Sequence, residues 1–251
     1  MNSVFYLFIL FIGGFGQEKI SVLMLGNKSD VGNLEIKIVH SIFRLYNSHH
    51  SGKDSLLYTI DTVQHFPELF SFTDSLSRSG KTNHVMAISR ITKTKKREAL
   101  YDFSTVYVPS KEVFFTLKEA NKTIQWKTKG TRIGFQLRTT QEKSIKRFET
   151  LYQITPVPVH TFDDKVELLR QGKIDVALSD NAELWNKPYL KIIEAHPFQH
   201  GKGLAILFPK GSELKDQLDK YVRYYIKSKH FHILVRQIYN GDISEYFQRN
   251  L

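Results

Sequence analysis

Short apolar runs alternate with helical patterns along most of the chain. Apolar runs bounded by glycine or polar residues predict buried strands, and they lie at 20–25, 56–60, 85–91, 107–117, 132–137, 157–160, 174–178 and 204–208. Apolar residues three or four positions apart predict helices between them, at 33–46, 65–79, from Thr139 onward, 163–171 and, as two helices, 212–239. This alternation predicts an α/β fold with mainly parallel sheets.

In open α/β sheets, ligands bind beyond the carboxyl ends of the strands. The chemistry should therefore be sought where the predicted strands end, at 26–30, 90–97, 138–141 and 179–181. Arg97 and Thr92 follow one strand, and the backbone amides of 139–141 begin a helix. An arginine fork and helix-start amides are suited to a carboxylate. Asp180 ends another strand and could accept hydrogen bonds from an ammonium.

The residues alone leave an alternative open at these positions. An arginine after a strand is commonly a surface residue, and an aspartate at a strand end is commonly a helix cap. The two groups are also about 80 residues apart, so that only a cleft between two parts of the fold would bring them together.

Four segments in consistent order resemble the signature of the extracellular solute-binding proteins of family 3, the amino-acid-binding type. They are TKKREALYDFSTVY at 94–107, RIGFQLRTTQE at 132–142, LLRQGKIDVALSD at 168–180 and GLAILFPKGSEL at 203–214. The resemblance implies a type II periplasmic-binding-protein-like clamshell with two α/β lobes and two hinge crossings. Lobe 1 would contain 17–112 plus 199–251, and lobe 2 would contain 113–198.

The resemblance also implies roles for individual residues. Arg97 stands at the position of the carboxylate-binding arginine, and Thr92 stands at that of a hydroxyl that contacts the ligand. Thr140 matches the helix-start residue that helps to hold the carboxylate, and Asp180 matches the acid that holds the α-ammonium. Tyr107 belongs to a block that packs near the cleft.

Three departures from the family pattern affect the pocket. The first loop, 26–33, is short and lacks the usual aromatic residue, and Arg138 replaces a glycine. Arg90 replaces a small residue two positions before Thr92. Since alternate strand residues share a face, Arg90 would enter the cleft and favour an acidic ligand, or it would fold over the rim and pair with an acid such as Asp102.

The N-terminal segment 1–16 has an apolar run of about nine residues, short of the ~20 that a membrane-spanning helix needs, followed by Gly14 and Gly16. We interpret it as a cleaved secretory signal; a buried first strand or an uncleaved anchor is the alternative. There is no cysteine, which excludes disulfides and a lipidated cysteine. A free periplasmic monomer is expected.

The net charge of +11 raises the question of nucleic-acid binding. The basic residues are scattered apart from 93–97, and no nucleic-acid-binding motif accompanies them, so a solvated basic surface is the better interpretation. No cofactor or metal motif is present; His196 and His200 lie in a loop with Pro197.

The sequence thus predicts a non-enzymatic binder of a small molecule, an amino acid or similar carboxylate, that serves an ABC permease. The alternatives are an orphan or sensory module with a diverged pocket, acting on a membrane sensor, and a cyclohexadienyl-dehydratase-like enzyme on the same fold. The enzyme would need a general acid in the cleft, for which Asp180 is the candidate.

Overall fold

The computed structural model describes residues 19–26, 30–50, 52–120, 125–185, 187–195 and 203–239. The predicted signal sequence, 1–16, and the loop that holds His196 and His200 lie outside the described residues. Among the described residues, none of the helices has the length and apolar character that a membrane span requires.

Strands and helices alternate as the sequence pattern predicts. The strands are β1 Ile20–Leu25, β2 Tyr58–Val63, β3 Val85–Ala87, β4 Tyr101–Phe103, β5 Glu112–Leu117, β6 Arg132–Gln136, β7 Thr155–Val159, β8 Val176–Asp180, β9 Leu190–Ala195 and β10 Leu207–Pro209. The helices are α1 Asp30–His49, α2 Phe66–Arg78, α3 Lys95–Glu98, α4 Thr140–Tyr152, α5 Phe162–Arg170, α6 Glu213–Ile226 and α7 Lys229–Tyr239. Single turns of 3-10 helix lie at Gly52–Asp54 and Asn181–Glu183.

The strands form two five-stranded sheets, ordered β2-β1-β3-β10-β4 and β7-β6-β8-β5-β9. In the first sheet β10 runs antiparallel to both of its neighbours, and β5 does so in the second. The other strands of each sheet run in one direction. The α/β fold is therefore confirmed, with each mainly parallel sheet made mixed by one reversed strand.

Each sheet is covered on both faces, because successive strand residues point to opposite sides. In β1, Val22 and Met24 pack with α1, α6 and α7, whereas Leu23 packs with Leu69 of α2. The second sheet is built in the same way, with α4 on one face and α5 on the other. Apolar burial on both faces holds the strand ends of each sheet in fixed positions.

Two differences from the predicted elements have local causes. The predicted strand 107–117 is divided, since Val108 makes an isolated bridge to Leu204 and β5 begins only at Glu112; Pro109 lies between them and has no N–H to donate. Strands β4 and β9 were not predicted. β4 has three residues, and the alternating pattern LKIIEA of β9 is typical of a half-exposed edge strand.

The two sheets draw on the segments that the predicted lobes contain. The first sheet uses 20–103 and 207–209, and the second uses 112–195. The division into lobes at 112/113 and 198/199 stays a proposal, which this strand order supports.

Gly203 is required where the chain passes between Lys93 and Val108. Its φ is 135°, and a Cβ there would lie 2.6 Å from the carbonyl oxygen of Val108. That oxygen accepts a hydrogen bond from the amide of Leu204, and the Gly203 carbonyl accepts one from Lys93.

We expect Gly203→Ala to lower the free energy of unfolding by about 2–4 kcal/mol, from left-handed backbone strain of about 1 and overpacking of about 1–3. Gly130→Ala is the matched control, because Gly130 has a φ of 80° and open space around it. It should cost only about 1 kcal/mol. Urea denaturation measures both values, and equal losses would contradict the steric argument.

Candidate functional site

A cavity lies at the carboxyl ends of strands from both sheets. Its lining includes Leu25 at the end of β1, Gln136 at the end of β6 and Asp180 at the end of β8. The five residues proposed from the sequence all contribute to this lining: Arg90, Thr92, Arg97, Thr140 and Asp180. The structure therefore brings together groups that are up to 90 residues apart in the chain.

This inner cavity is small, about 60 Å³, and it shares four lining residues with a larger cavity of about 790 Å³. The shared residues are Phe66, Arg97, Thr139 and Thr140. Pockets for small molecules commonly have about 300–1,000 Å³, so the outer cavity supplies the room that the inner one lacks.

Arg97 is held in place on several sides. Its Nη1 donates to the carbonyl of Thr92 at 2.8 Å, and its guanidinium lies 5.0 Å from the ring centre of Phe70 and 5.5 Å from that of Phe66. Thr94 caps α3 by accepting from the Arg97 amide. Burial lowers the pKa of Arg97 to about 10, against the effect of Asp180, so the group remains a cation at neutral pH.

The start of α4 is only partly available to a ligand. The hydroxyl of Thr139 caps the helix by accepting from the amide of Gln141. Of the amides at 139–141 that were considered for a carboxylate, that of Gln141 already has a hydrogen-bond partner in the protein. Thr140, the first helical residue, lines both cavities.

Asp180 has an unusual environment for a carboxylate. Ser110 Oγ donates to its Oδ1 at 3.0 Å, and within the described residues it makes no ion pair. Burial, together with the nearby acids Glu112 and Glu183, raises its pKa to about 7. A cation that entered beside it would favour the ionised form.

Arg90 combines parts of the two positions foreseen from the sequence, because it enters the cleft and pairs with an acid, which is Glu183 rather than Asp102. Strand β3 ends at Ala87 and Arg90 has a φ of 52°, so the strand alternation that would align it with Thr92 no longer holds. It does line the inner cavity, but its Nη1 is bound to Oε1 of Glu183 at 2.7 Å, and the two side chains are only 20% and 13% exposed. Asp102 pairs with Lys210 instead. The positive charge of Arg90 is thus matched by Glu183 inside the cleft.

A buried lysine supports the acid that pairs with Arg90. Lys165 of α5 is fully buried, and its Nζ donates to the carbonyl of Leu178 and to Ser179 Oγ. Ser179 in turn donates to Glu183. Burial would raise the pKa of Glu183, but Arg90 and Lys165 outweigh it and hold that pKa below its ordinary value. Burial lowers the pKa of Lys165 to about 8.

Glu35 of α1 is fully buried beneath Arg90. Its Oε1 accepts from the Arg90 amide at 2.6 Å and from the hydroxyl of Tyr107, while its Oε2 is buried without a hydrogen-bond partner among the described residues. Burial raises the pKa of Glu35 to about 7. Tyr107 is itself fully buried in the core of the first sheet and donates to this carboxyl group.

The sequence analysis missed Glu35, Lys165 and the aromatic residues Phe66 and Phe70. A signal for the two charged residues exists: Glu35 shares a helical stripe with Ile38 and Ile42, and Lys165 is four positions before Leu169, so each stands among buried apolar residues. The aromatic residue was sought in the first loop, whereas α2 supplies it.

The comparisons with known proteins agree with this geometry. Two α/β sheets whose strand ends share a cleft define the class of two-lobed solute-binding proteins. Residues 69–239 match the model of the bacterial extracellular solute-binding proteins, family 3, and the chain belongs to that family. The resemblance seen in the sequence is thereby confirmed.

Solved structures extend the likeness over most of the chain. The arginine-, lysine-, histidine-binding protein of Geobacillus stearothermophilus is 21% identical, with 91% of this chain and 99% of that chain covered and a TM-score of 0.66. An amino acid ABC transporter substrate-binding protein of Streptococcus pneumoniae bound to L-arginine is 19% identical, with 89% and 95% covered and a TM-score of 0.66.

An ancestral amino-acid-binding protein, a precursor of cyclohexadienyl dehydratase, is 14% identical, with 88% and 95% covered and a TM-score of 0.66. At these identities the likeness shows the fold alone. No curated protein matches the chain.

The raised pKa of Glu35 makes a prediction about stability. The native state retains this proton between about pH 4.5 and about 7, where the unfolded chain has lost it, so the Glu35 contribution to stability falls as pH rises through that window. Glu35→Gln keeps an acceptor for Arg90 and Tyr107 and removes the titration.

Relative to the wild type, Glu35→Gln should therefore gain stability as pH rises, by up to about 3 kcal/mol for a shift of this size. Urea denaturation at a series of pH values measures the difference. A difference that stays constant with pH would contradict the assignment.

Proposed function

We propose that this protein captures a free α-amino acid, or a similar small carboxylate with an amine, in the cavity at the strand ends and delivers it to an ABC importer. The observation that carries the proposal is that Arg97 and Asp180, groups of opposite charge, line the same cavity. A zwitterion needs both.

Arg97 would bind the carboxylate. Within the described residues its guanidinium makes a single hydrogen bond, to Thr92, so further N–H donors remain for a bidentate contact. The aromatic rings of Phe66 and Phe70 hold the guanidinium in place, which reduces the entropy lost on binding. The hydroxyls of Thr92 and Thr140 would complete the carboxylate contacts.

Asp180 would bind the ammonium. With a pKa of about 7, Asp180 is protonated in about half of the free molecules at neutral pH, and an entering ammonium would favour its ionised form. The binding step would therefore release a proton. Arg90 is not proposed as a direct contact to the ligand charge; its pairing with Glu183 supports a structural role at the edge of the cavity.

Several further features belong to the same proposal. Ligand binding would close the two lobes by a hinge motion, and the closed shape would be recognised by a permease. We propose export through the signal at 1–16, a periplasmic location and a monomeric state. The similar structures of an amino acid ABC transporter substrate-binding protein and of an arginine-, lysine-, histidine-binding protein support this role.

An enzymatic role is the second candidate, and it rests on Asp180. An acid in the cleft with a pKa of about 7 suits general acid catalysis, and one structural neighbour is a precursor of cyclohexadienyl dehydratase. The family is one of solute-binding proteins, and capture of an ammonium accounts for the same carboxyl group. Binding is therefore the proposal, with a sensory module as the alternative that shares this site.

A thermal-shift screen of the amino acids and small dicarboxylates tests the proposal. A true ligand at a hundredfold excess over its Kd should add about 2.7 kcal/mol of stability, a rise in Tm of about 5 °C or more. Arg97→Ala should abolish the shift, whereas Arg78→Ala, an exposed arginine in the last turn of α2, should retain it.

Circular dichroism would show whether the Arg97→Ala variant is folded. If it is not folded, Arg97→Lys, which keeps the charge, would replace it in the test. An unchanged shift in Arg97→Ala would mean that the ligand binds elsewhere.

The pKa of Asp180 predicts the pH dependence of binding. Because the free protein holds a proton that the complex gives up, affinity should rise about tenfold from about pH 6 to about pH 8. Isothermal titration in buffers of different ionisation enthalpy should show proton release near pH 7. Asp180→Asn should bind more weakly and without this dependence; a wild-type affinity that falls with pH would exclude the proposed role of Asp180.

A further inference from the structure

The outer cavity is strongly basic. Its lining includes six cationic side chains, Lys93, Lys95, Lys96, Arg97, Arg138 and Lys143, and no aspartate or glutamate among the described residues. Four of the six come from 93–97, beyond β3 of the first sheet, and the other two flank the start of α4 on the second. The same cavity opens onto Arg97, the proposed carboxylate anchor.

Most of this charge is not matched by protein acids. Lys93 lies 3.7 Å from Glu98 and also donates to the carbonyl of Ser104. Arg97 is the proposed carboxylate anchor. The remaining four cations make no ion pair within the described part of the chain: Lys95, Lys96, Arg138 and Lys143. The carboxylate near Arg138, that of Glu142, accepts from the Arg138 backbone amide and pairs with Lys146 instead.

Arg138 is placed at a backbone cost. Its φ is 60°, in the left-handed region that is strained for a residue with a Cβ. Glycine would avoid that cost. Strained residues of this kind concentrate at ligand sites. Here the strained residue is a cation that lines the outer cavity and makes no ion pair within the described residues.

We propose that the outer cavity is an anion subsite, and that the natural ligand is an amino acid or small carboxylate with a further anionic group, a carboxylate or a phosphate, at its far end. This rests on the proposed function, which places the α-carboxylate at Arg97 and leaves the rest of the ligand to extend outward. The cations at 95–96 and those at 138 and 143 would contact the far group from two sides of the cavity.

The specificity would then be opposite to that of the arginine-, lysine-, histidine-binding protein and of the substrate-binding protein bound to L-arginine. A cationic side chain in this cavity would meet like charges without a carboxylate to accept it, and an uncharged one would gain nothing from them. Because Lys95, Lys96, Arg138 and Lys143 are exposed, salt should screen the attraction for the anionic ligand.

Isothermal titration with four amino acids tests the inference. L-glutamate and L-glutamine have nearly the same shape, O-phospho-L-serine adds a dianion, and L-arginine adds a cation. Two or three exposed ion pairs should make glutamate or phosphoserine bind about tenfold more tightly than glutamine, with arginine weakest. Whichever anion binds more tightly distinguishes a carboxylate from a phosphate ligand. Affinity for it should fall between about 20 and about 200 mM salt.

Variants locate the effect. The double variant Arg138→Gly with Lys95→Gln should weaken the anionic ligand about fivefold and glutamine less than twofold. Glycine relieves the strained backbone, so loss of folding is not the expected cause. Lys129→Gln removes the same kind of charge from an exposed lysine outside both cavities and should change neither affinity.

The outcomes are distinguishable. Binding of arginine or glutamine at least as tightly as the anionic ligands, or equal effects of the double variant and Lys129→Gln, would overturn the anion subsite and leave the proposed function standing. If none of the four amino acids binds and the wider thermal-shift screen finds no ligand, both the anion subsite and the proposed function would be overturned.

Discussion

The ion pair between Arg90 and Glu183 joins the segment that follows β3 of the first sheet to the segment that follows β8 of the second. An unpaired ion inside a protein costs several kcal/mol, so this contact fixes both segments where they meet the cavity. Glu183 depends in turn on Ser179 and the buried Lys165. The Arg90 amide depends on Glu35.

With Arg90 and Glu183 matched to each other, Arg97 and Asp180 are the groups that we propose to meet a ligand. One is a cation with donors to spare, and the other is a carboxyl group that is held near neutrality by burial. Because the pKa of Asp180 is about 7, an ammonium that bound beside it would favour the ionised form. The outer cavity adds positive charge only where the far end of a ligand would lie.

The sequence predicted the strand that ends at Asp180, since polar residues follow its apolar run. Arg97 lies instead in α3, a single helical turn that the pattern did not predict. The sequence did not predict the contacts of Arg90 either, because a left-handed residue after β3 breaks the alternation on which the argument relied. Lys165 escaped notice because charged residues in helices are usually solvated, and its burial depends on acceptors at the end of β8. Tertiary partners of this kind have no local sequence signal.

The central claim is that Arg97 and Asp180 hold the two ends of one zwitterion. A crystal structure with the amino acid that gives the largest thermal shift tests it directly. The account predicts the ligand carboxylate about 2.8 Å from the Arg97 guanidinium, the distance of a charge-assisted hydrogen bond, and the ligand ammonium equally close to Asp180. A ligand bound with either group elsewhere, or with Asp180 still bonded only to Ser110, would contradict it.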